Sequence, residues 1–555
     1  MHSILLKRAG LLTFVLMLMA WPLALCSQAR QTPTQAAPPL LKDVVIDSQQ
    51  DEQLFEELPP EVFVNPHELH TFVPREEHAP LHLRIIEFGP TLLTKPAEPL
   101  ARTFGHIFGG HHDHIETELG EFPIGIQPIP ERPSLLIEWN EGFLANGPLA
   151  HGIETHTGAI WRPALWVFGE YRSAIQYTDQ HRPVDPVAEW AHRLDLFAQV
   201  NLTGTERVLM QFRPFDEEEG AVRSFSGYDF RNGDGFDGSN FRFNTLFFEG
   251  DFGELFPRLD PFDSLSLDYG FAVGRMPLLA QQGLLINEDM LDAITITRNT
   301  INAGRLLNLR ATFVYAWGNV NRNSATQMGN AYDSASRMIA LLTEGDFKHS
   351  TINIDAAYVF GNEFGTGDLV AFGVSSIRRH YLHHNTYNTS LHLLASYPIS
   401  GRTAYADQGE LLFAQTSWTP HCTEDLIYLN GFWAIDQFTS PARGPLAGNA
   451  LGQTGVLYSA PGIGNLDAPL GPLTDNRAGG SLGYQLFYDH TRQQVIFEIG
   501  GHKETKGEHS GALGAAVRWQ RAIGQRYILL LDGYTAKRES QNTIPGFRAE
   551  LRIKY

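Results

Sequence analysis

Alternation of apolar and polar residues is the dominant pattern of this chain from about Ser134 to its end. The runs Arg193–Leu202 and Thr351–Phe360, for example, place Leu, Ile, Ala, Val, Tyr or Phe at every second position and mostly polar residues between them. A period of two residues is typical of a β-strand with one apolar and one polar face. The pattern predicts strands near residues 165–177, 193–202, 206–214, 241–252, 264–274, 292–300, 307–317, 337–346, 350–360, 369–378, 387–397, 410–419, 425–434, 478–489, 493–502, 511–520, 526–534 and 547–555.

The length and edges of these segments favour a membrane barrel. A tilted strand needs about 9–11 residues to cross a bilayer, and aromatic residues at strand ends suit its two interfaces. Tyr387–Tyr397 shows both features. We therefore predict an all-β fold, a transmembrane antiparallel up-and-down barrel of about 16–18 strands. A soluble sandwich, propeller or β-helix also alternates, but the chain shows no repeat of constant period.

The last nine residues, Phe547–Tyr555, carry the clearest single segment of this pattern. Phe, Ala, Leu, Ile and Tyr occupy one face, and Arg548, Glu550, Arg552 and Lys554 occupy the other. A bare sheet edge is not tolerated in lipid, so such a strand must pair on both sides and close a barrel. We predict that the charged face points inward and that Phe547–Tyr555 is recognised by the outer-membrane assembly machinery.

The chain divides into three predicted regions. Residues 1–29 form a signal peptide, because the apolar run Leu11–Ala20 follows Lys7 and Arg8 and is too short for a membrane helix. Residues 30–133 form a Pro-rich, acidic, His-bearing and largely irregular segment, predicted to be periplasmic or a plug. Residues 134–555 form the barrel.

Cysteine and charge content narrow the class further. The two cysteines are Cys26 and Cys422, so loss of the signal would leave no intramolecular disulfide. Leu23-Ala-Leu-Cys26 half-resembles a lipidation signal, which leaves a lipoprotein as an alternative. The net charge of −20 argues against nucleic acid as a partner.

Two segments carry candidate metal ligands. His106, His111, His112 and His114 lie close together beside a Gly-Gly pair, and their nitrogens suit a divalent metal; solvated histidines without a metal are the alternative. Asn232–Gly238 resembles a calcium loop in its oxygen-bearing residues, but it lacks the EF-hand spacing and indicates a turn-rich outer loop instead. No cofactor is otherwise predicted.

Three stretches interrupt the strand pattern. Phe215–Asn240 and Thr439–Arg477 are predicted to be long extracellular loops, or loops that fold into the lumen and narrow it. Arg275–Asp292, which contains Gly283, is predicted to be another inward loop.

Charged residues at strand positions are the candidate lining of a pore. A ladder of arginines would attract anionic solutes, whereas pairing with nearby carboxylates would make the same arginines structural. The candidates are Arg172, Arg193, Asp195, Arg207, Arg213, Arg242, Arg275, Arg298, Arg310 and Asp355.

The residues do not assemble a convincing catalytic set in sequence. No Gly-x-Ser-x-Gly elbow occurs in a strand-to-helix context, and no phosphate-binding loop is visible. Cys422 beside His421 lacks an orienting third group. His380, His383 and His384 follow Arg378 and Arg379 and indicate a basic rim rather than a catalytic centre.

The signal, the alternating body and Phe547–Tyr555 together resemble bacterial outer-membrane porins over residues 134–555. Arg193–Phe197, Phe247–Gly253 and Val273–Arg275 look like porin wall and loop-entry sequence. The likeness is greatest to the eighteen-stranded substrate-specific channels, including alginate-export-like barrels. It implies location in the outer membrane of a Gram-negative bacterium, contact with the lipid bilayer, passage of small solutes and, as in many porins, a homotrimer.

Three functions remain open at this stage. The first is a non-enzymatic, porin-like channel for passive passage of small hydrophilic or charged solutes. The second is a barrel that serves as scaffold or secretion conduit for a periplasmic partner docked on residues 30–133. The third is an outer-membrane hydrolase active at the rim.

Overall fold

A computed structural model describes the chain from Ser134 to Tyr555. It omits residues 145–150, 180–185, 216–224, 232, 234–241, 260–266, 302–305, 327–329, 333–334, 362–364, 383–384, 421–422, 443–454, 472, 490, 508–509 and 540–542. The predicted signal peptide, the segment 30–133 with its histidine cluster, the pair His421–Cys422 and most of Asn232–Gly238 lie outside the described residues. Within the described part, no helix is long and apolar enough to cross a membrane.

Eighteen antiparallel strands form one closed sheet. They are β1 (Ala164–Thr178), β2 (Val187–Asn201), β3 (Arg207–Phe212, continued by Ser226–Asp229), β4 (Phe243–Asp251), β5 (Tyr269–Ala280), β6 (Ile286–Arg298), β7 (Asn308–Gly318), β8 (Arg337–Asp346), β9 (Thr351–Phe360), β10 (Leu369–Leu382), β11 (Asn385–Pro398), β12 (Gly409–Thr419), β13 (Leu426–Asp436), β14 (Arg477–Tyr488), β15 (Gln493–Glu504), β16 (Gly511–Ile523), β17 (Tyr527–Arg538) and β18 (Thr543–Lys554). The predicted all-β fold class and strand number are confirmed, and every predicted segment overlaps one of these strands.

The last strand closes the barrel onto the first. β18 pairs with β1 from Gly546 opposite Thr178 to Lys554 opposite Glu170. Tyr555 adds a further backbone pair, since its amide donates to the carbonyl of Gly169 at 2.9 Å. No ladder edge is left open along this seam, as a barrel in lipid requires.

Two predicted loops contain strand. Ser226–Asp229 lies within the stretch Phe215–Asn240. It pairs with β2 beyond the residues of β2 that pair with Arg207–Phe212. Most of Arg275–Asp292 belongs to β5 and β6, and only residues 281–285 separate the two strands. The prediction of one long inward loop at Arg275–Asp292 is therefore wrong in extent.

The two ends of the barrel differ in their connections. β10 and β11 are separated by residues 383–384 and β16 and β17 by 524–526, at the end where the chain terminates. The opposite end carries the connection 437–476, between β13 and β14. In outer-membrane barrels short turns face the periplasm and long loops face outward, which sets the orientation.

A short pre-barrel strand extends the closing seam at the short-turn end. Ile137–Trp139 pairs with β1 at Leu165–Val167, just beyond the part of β1 that β18 covers. Arg526 donates to the carbonyl and the hydroxyl of Ser134 at 3.0 and 2.9 Å. The segment before the barrel is thus attached to the seam by both backbone pairing and a side chain.

Exposed apolar side chains cover the outer face of the strands. They alternate with charged or small residues that point inward, and they include Ile175, Ile294, Phe313, Leu341, Ile354, Phe372, Leu429, Leu482, Ile499, Val517, Leu531, Phe547 and Leu551. Exposed aromatic residues lie near the ends of the belt, among them Tyr177, Tyr269, Trp317, Tyr397 and Tyr527. A closed barrel with an apolar band and aromatic borders is an outer-membrane protein, as predicted.

A charge in the middle of this belt should destabilise the barrel. Ile499 lies midway along β15 with 59% of its surface exposed, so Ile499→Arg would place a cation in hydrocarbon. We expect a loss of about 2–4 kcal/mol in the free energy of unfolding, measured by urea titration in lipid vesicles. The control Gln494→Arg lies on the inward face of the same strand and should cost much less; equal losses would contradict the assigned faces.

Apolar side chains also pack inside the barrel, at the long-loop end. Leu284, Leu285 and Ile286 from the β5–β6 turn are fully buried there, together with Leu457 and Tyr458 from the connection 437–476. Inward residues of the wall complete the cluster, including Val314, Met338, Phe413 and Phe432. A wide barrel is expected to keep an aqueous lumen, but here folded-in connections fill part of it.

Candidate functional site

The inner faces of β16–β18 and β1–β3 carry a row of charged side chains, which we call the charged wall. Strand register aligns Arg552 of β18 with Arg172 of β1, and Arg172 with Arg193 of β2. The same face contributes Arg548 and Glu550 from β18. The remaining members are Asp195, Arg213, Arg518, Asp532 and Glu170.

Glu550 is the centre of the charged wall. It is fully buried and accepts from Nε of Arg172 at 2.6 Å and from Nε of Arg552 at 2.9 Å. Arg548 pairs with its other carboxylate oxygen. A single carboxylate therefore contacts three arginines on two strands, and charge-assisted pairs of this kind fix side-chain geometry.

Two further carboxylates divide the remaining arginines. Asp195 accepts from Arg193 and Arg213, each at 2.7 Å, and Asp532 accepts from Arg518 at 2.7 Å and from Arg548 at 3.1 Å. Arg193 and Arg213 are therefore paired with a nearby carboxylate, which is the second alternative given for the predicted pore arginines. Asp355 instead accepts from the side chain of Gln281 and the backbone amide of Thr343.

Exposure along β18 increases toward the short-turn end. The side chain of Arg548 is 1% exposed, that of Glu550 is 0% and that of Arg552 is 30%. Arg552 also lies 4.0 Å from Glu170, which is partly exposed. The charged wall is therefore enclosed at mid-height and open toward the periplasmic mouth.

The connection 437–476, which we call the inward loop, encloses the charged wall. Arg172 donates to the carbonyl of Pro461 at 2.9 Å, and Arg193 donates to that of Gly462 at 2.5 Å. Gln176 of β1 donates to the carbonyl of Ile463 at 3.1 Å. Of the two alternatives for Thr439–Arg477, the lumen-folded loop is the one observed.

The next residues of the inward loop are fixed by Glu189 of β2. Its carboxylate accepts from the backbone amide of Asn465 at 2.5 Å and from the Asn465 side chain at 2.9 Å. It also accepts from Gln176 at 2.6 Å. Four wall residues on two strands therefore bind the loop largely through its backbone, and the anchor requires glycine at position 464, where a β-carbon would fall 1.8 Å from Nε2 of Gln176.

A second anchor lies on β15 and β16. Glu498 accepts from the backbone amides of Val456 and Leu457 at 2.6 and 2.8 Å. Tyr458 donates to the carbonyl of Gly501 at 2.8 Å, and burial together with the nearby Glu498 carboxylate raises the pKa of its phenol. Tyr458 therefore remains a neutral hydrogen-bond donor.

The second anchor also includes an apolar contact. A β-carbon on Gly514 would fall 2.9 Å from the Leu457 side chain, and one on Gly500 would fall 3.2 Å from it. These two inward glycines leave the room that Leu457 fills. The inward loop is thus anchored at two places on the wall, by polar and by apolar contacts.

Other predicted lining residues lie at the barrel mouth. Arg207 pairs with Glu249, and Arg310 pairs with Glu344 at 3.4 Å, both on inward positions near the short-turn end and both well exposed. Arg242 directly precedes β4 and is partly buried. The exposure of the Arg207 and Arg310 pairs places them at the short-turn rim rather than beside the inward loop, whereas Arg242 lies at the long-loop end.

Two predicted lining residues face outward instead. Arg275 shares its strand face with exposed Val273 and Leu279 and pairs with Asp292 at 2.8 Å. Arg298 shares its face with exposed Ile296 and lies over the ring of Tyr269 at 4.7 Å. The prediction that these arginines line the pore disagrees with strand alternation, which puts them near the interfaces where a long cationic side chain reaches water.

Of the remaining candidate histidines, His380 lies within the described residues. His380 lies on β10 near the short turn and contacts Thr389, consistent with a basic rim. The described residues contain no group of three or more His, Cys, Asp or Glu side chains able to hold a metal ion.

Several functional positions were missing from the sequence-based candidates. Gln176, Glu498, Arg518 and Asp532 lie on the inward face of predicted strands, and Glu189 lies on the inward face of β2, before the predicted segment 193–202. The alternation of inward and outward residues along a strand could have identified them. Arg518, for example, lies between the outward residues Val517 and Trp519. The identity of their loop partners was not readable, since these contacts join residues far apart in sequence.

Comparison with known proteins adds solved barrels of similar architecture. No family model and no curated protein matches the chain. Among solved structures, OccK2 (OpdF) of Pseudomonas aeruginosa has a TM-score of 0.48 at 10% identity, covering 70% of this chain and 97% of that one. A BenF-like porin of Pseudomonas fluorescens has a TM-score of 0.48 at 10% identity, covering 70% of this chain and 98% of that one. OccAB4 of Acinetobacter baumannii has a TM-score of 0.47 at 9% identity, covering 72% of this chain and 100% of that one.

The strand pairing of the chain itself defines its class. It is an eighteen-stranded outer-membrane β-barrel with a loop folded into its lumen.

Proposed function

We propose that the protein is a passive, non-enzymatic channel for small hydrophilic solutes, and that the charged wall is their path. The observation that carries this proposal is the increase in exposure along β18, from the enclosed Arg548 and Glu550 to Arg552. It describes a polar track that begins beside the inward loop and opens toward the periplasm. A membrane barrel whose only task was scaffolding would not need buried ion pairs along its lumen.

Charge along the track favours anions. Six arginines on the charged wall, namely Arg172, Arg193, Arg213, Arg518, Arg548 and Arg552, contact four carboxylates, Glu170, Asp195, Asp532 and Glu550. Six minus four leaves two positive charges among these ten side chains, and Glu189 on the inner face of β2 adds one negative charge beside them. Fixed cations in a narrow lumen raise the local concentration of anionic solutes.

The inward loop supplies size selection in this proposal. Its two anchors hold it across the lumen at the height where the arginines are most enclosed. Solutes would pass between the loop and the charged wall, where the remaining guanidinium donors of Arg552 and its neighbours replace part of their hydration. A channel of this kind needs no cofactor.

Planar-bilayer recording tests the proposal. Wild-type protein should insert and conduct, and a salt gradient should give a reversal potential of the sign expected for anion preference. Arg552→Gln removes the most exposed arginine of the charged wall, so the anion preference should fall by a severalfold ratio of permeabilities.

The matched control is Lys537→Gln. Lys537 is an exposed cation on β17 whose strand face points away from the lumen. The same loss of charge there should leave the reversal potential unchanged. A wild-type protein that inserts but does not conduct would overturn the channel proposal.

A further inference from the structure

The β5–β6 turn enters the lumen through a strained backbone. Gln281, Gln282 and Gly283 have φ angles of 53°, 55° and 86°, a left-handed conformation that side chains other than glycine rarely adopt. The following residues Leu284 and Leu285 are fully buried inside the barrel. Strain of this type persists only where the surroundings hold it in place.

The side chain of Gln281 occupies a polar slot on the inner faces of β9–β11. Its Nε2 donates to Oδ2 of Asp355 on β9 at 2.8 Å, and its Oε1 lies 3.0 Å from Nδ1 of His392 on β11. Because Oε1 has no hydrogen, Nδ1 must be the donor. The three side chains are 2%, 4% and 0% exposed, in the order Gln281, Asp355, His392.

The strand between these partners is shaped for the glutamine. Gly373 of β10 pairs with Asp355, and a β-carbon there would fall 2.7 Å from Cγ of Gln281. The other carboxylate oxygen of Asp355 accepts from the backbone amide of Thr343 at 2.9 Å, which fixes its orientation. Glycine, carboxylate and imidazole on three adjacent strands thus accommodate one amide group.

The same turn is coupled to the inward loop. Ile286 forms a parallel bridge with Ala442, and the amide of Asn287 donates to the carbonyl of Ala442 at 3.2 Å. A displacement of the β5–β6 turn would therefore remove backbone support from the start of the inward loop.

We propose that Gln281 is a positioning residue that sets the bore of the channel by fixing the β5–β6 turn across the lumen in the Asp355–Gly373–His392 slot. The inference rests on the proposed channel function and deepens it, because it makes the support of the size-selecting inward loop depend on one hydrogen-bonded contact of the β5–β6 turn. Asp355 and His392 then act through Gln281 rather than by contacting solute.

Single-channel recording with polyethylene glycols of graded size tests the proposal, with heat-modifiable gel migration confirming a folded barrel. Gln281→Ala should raise the conductance about twofold and admit larger polymers, because both hydrogen bonds are lost. Gly373→Ala, on the opposite side of the contact, should have the same effect by crowding the slot. The control Gln282→Ala has nearly the same φ and should leave the polymer cut-off unchanged.

A reciprocal exchange separates positioning from general loosening. Gln281→Glu, recorded at mildly alkaline pH, faces one carboxylate with another and should widen the channel. Adding Asp355→Asn lets an amide donate to the introduced carboxylate and should restore the wild-type conductance and cut-off. The inference is overturned if the double variant fails to restore them, or if Gln281→Ala leaves the conductance unchanged. A wild-type protein that does not conduct would instead overturn the channel proposal itself.

Discussion

Excision of the part of the inward loop between residues 443 and 469 should raise single-channel conductance severalfold. This segment contains both anchors, from Val456 at Glu498 to Asn465 at Glu189, so its removal exposes the enclosed arginines to the lumen. The effect should be among the largest available in this chain, because it removes both anchors of the loop instead of altering one contact.

The geometry of the loop ends makes the excision feasible. Thr474 donates to the carbonyl of Phe438 at 2.8 Å, and Gln437 bridges Asp475. Since the roots of the loop are adjacent at these residues, a flexible Gly-Ser linker from residue 442 to residue 470 leaves β13 and β14 paired.

Two further variants keep this prediction testable if the excised protein folds poorly. Glu498→Ala removes the acceptor of two loop amides and should increase the fraction of time in a wider open level. Lys506→Ala breaks an exposed ion pair with Asp436 at the root of the same loop and should change nothing. Unaltered conductance after excision would mean that the inward loop does not limit flow.

The sequence determined the strands because their signal is local. A period of two needs only neighbouring residues, and β18 displays it over its whole predicted length. The pattern failed at the β5–β6 turn, where residues 276–286 are almost continuously apolar. There one face contacts lipid while the other packs inside the lumen, so alternation disappears for a physical reason.

The charged residues were predicted with uneven success for a related reason. Parity within a strand separates Arg172 from Arg298, because Arg298 shares its face with outward Ile294 and Ile296. Residue type alone cannot make that distinction, since a cation near an interface reaches water as readily as one in the lumen. The loop anchors were beyond local patterns, because Arg172 and Pro461 meet only once the barrel has closed.

Glu550→Ala should destabilise the barrel by about 3–5 kcal/mol, because removal of one partner leaves buried charge uncompensated. Glu550 is fully buried and contacts Arg172, Arg548 and Arg552, of which the first two are themselves buried. These residues lie on β18 and β1, so the loss falls on the closing seam and should slow assembly as well. The measurement is the urea midpoint of the refolded barrel, followed by heat-modifiable migration.

Glu344→Ala is the matched control for this prediction. Glu344 is also an inward carboxylate paired with an arginine, but it and Arg310 are about half exposed at the barrel mouth. Solvent screens that pair, so its loss should cost about 0–1 kcal/mol. Glu550→Gln keeps the side-chain volume and one acceptor and should fall between the two. Equal losses for Glu550→Ala and Glu344→Ala would show that enclosure by the inward loop adds nothing to the strength of the charged wall, which would also remove the reason for treating its arginines as a shielded path.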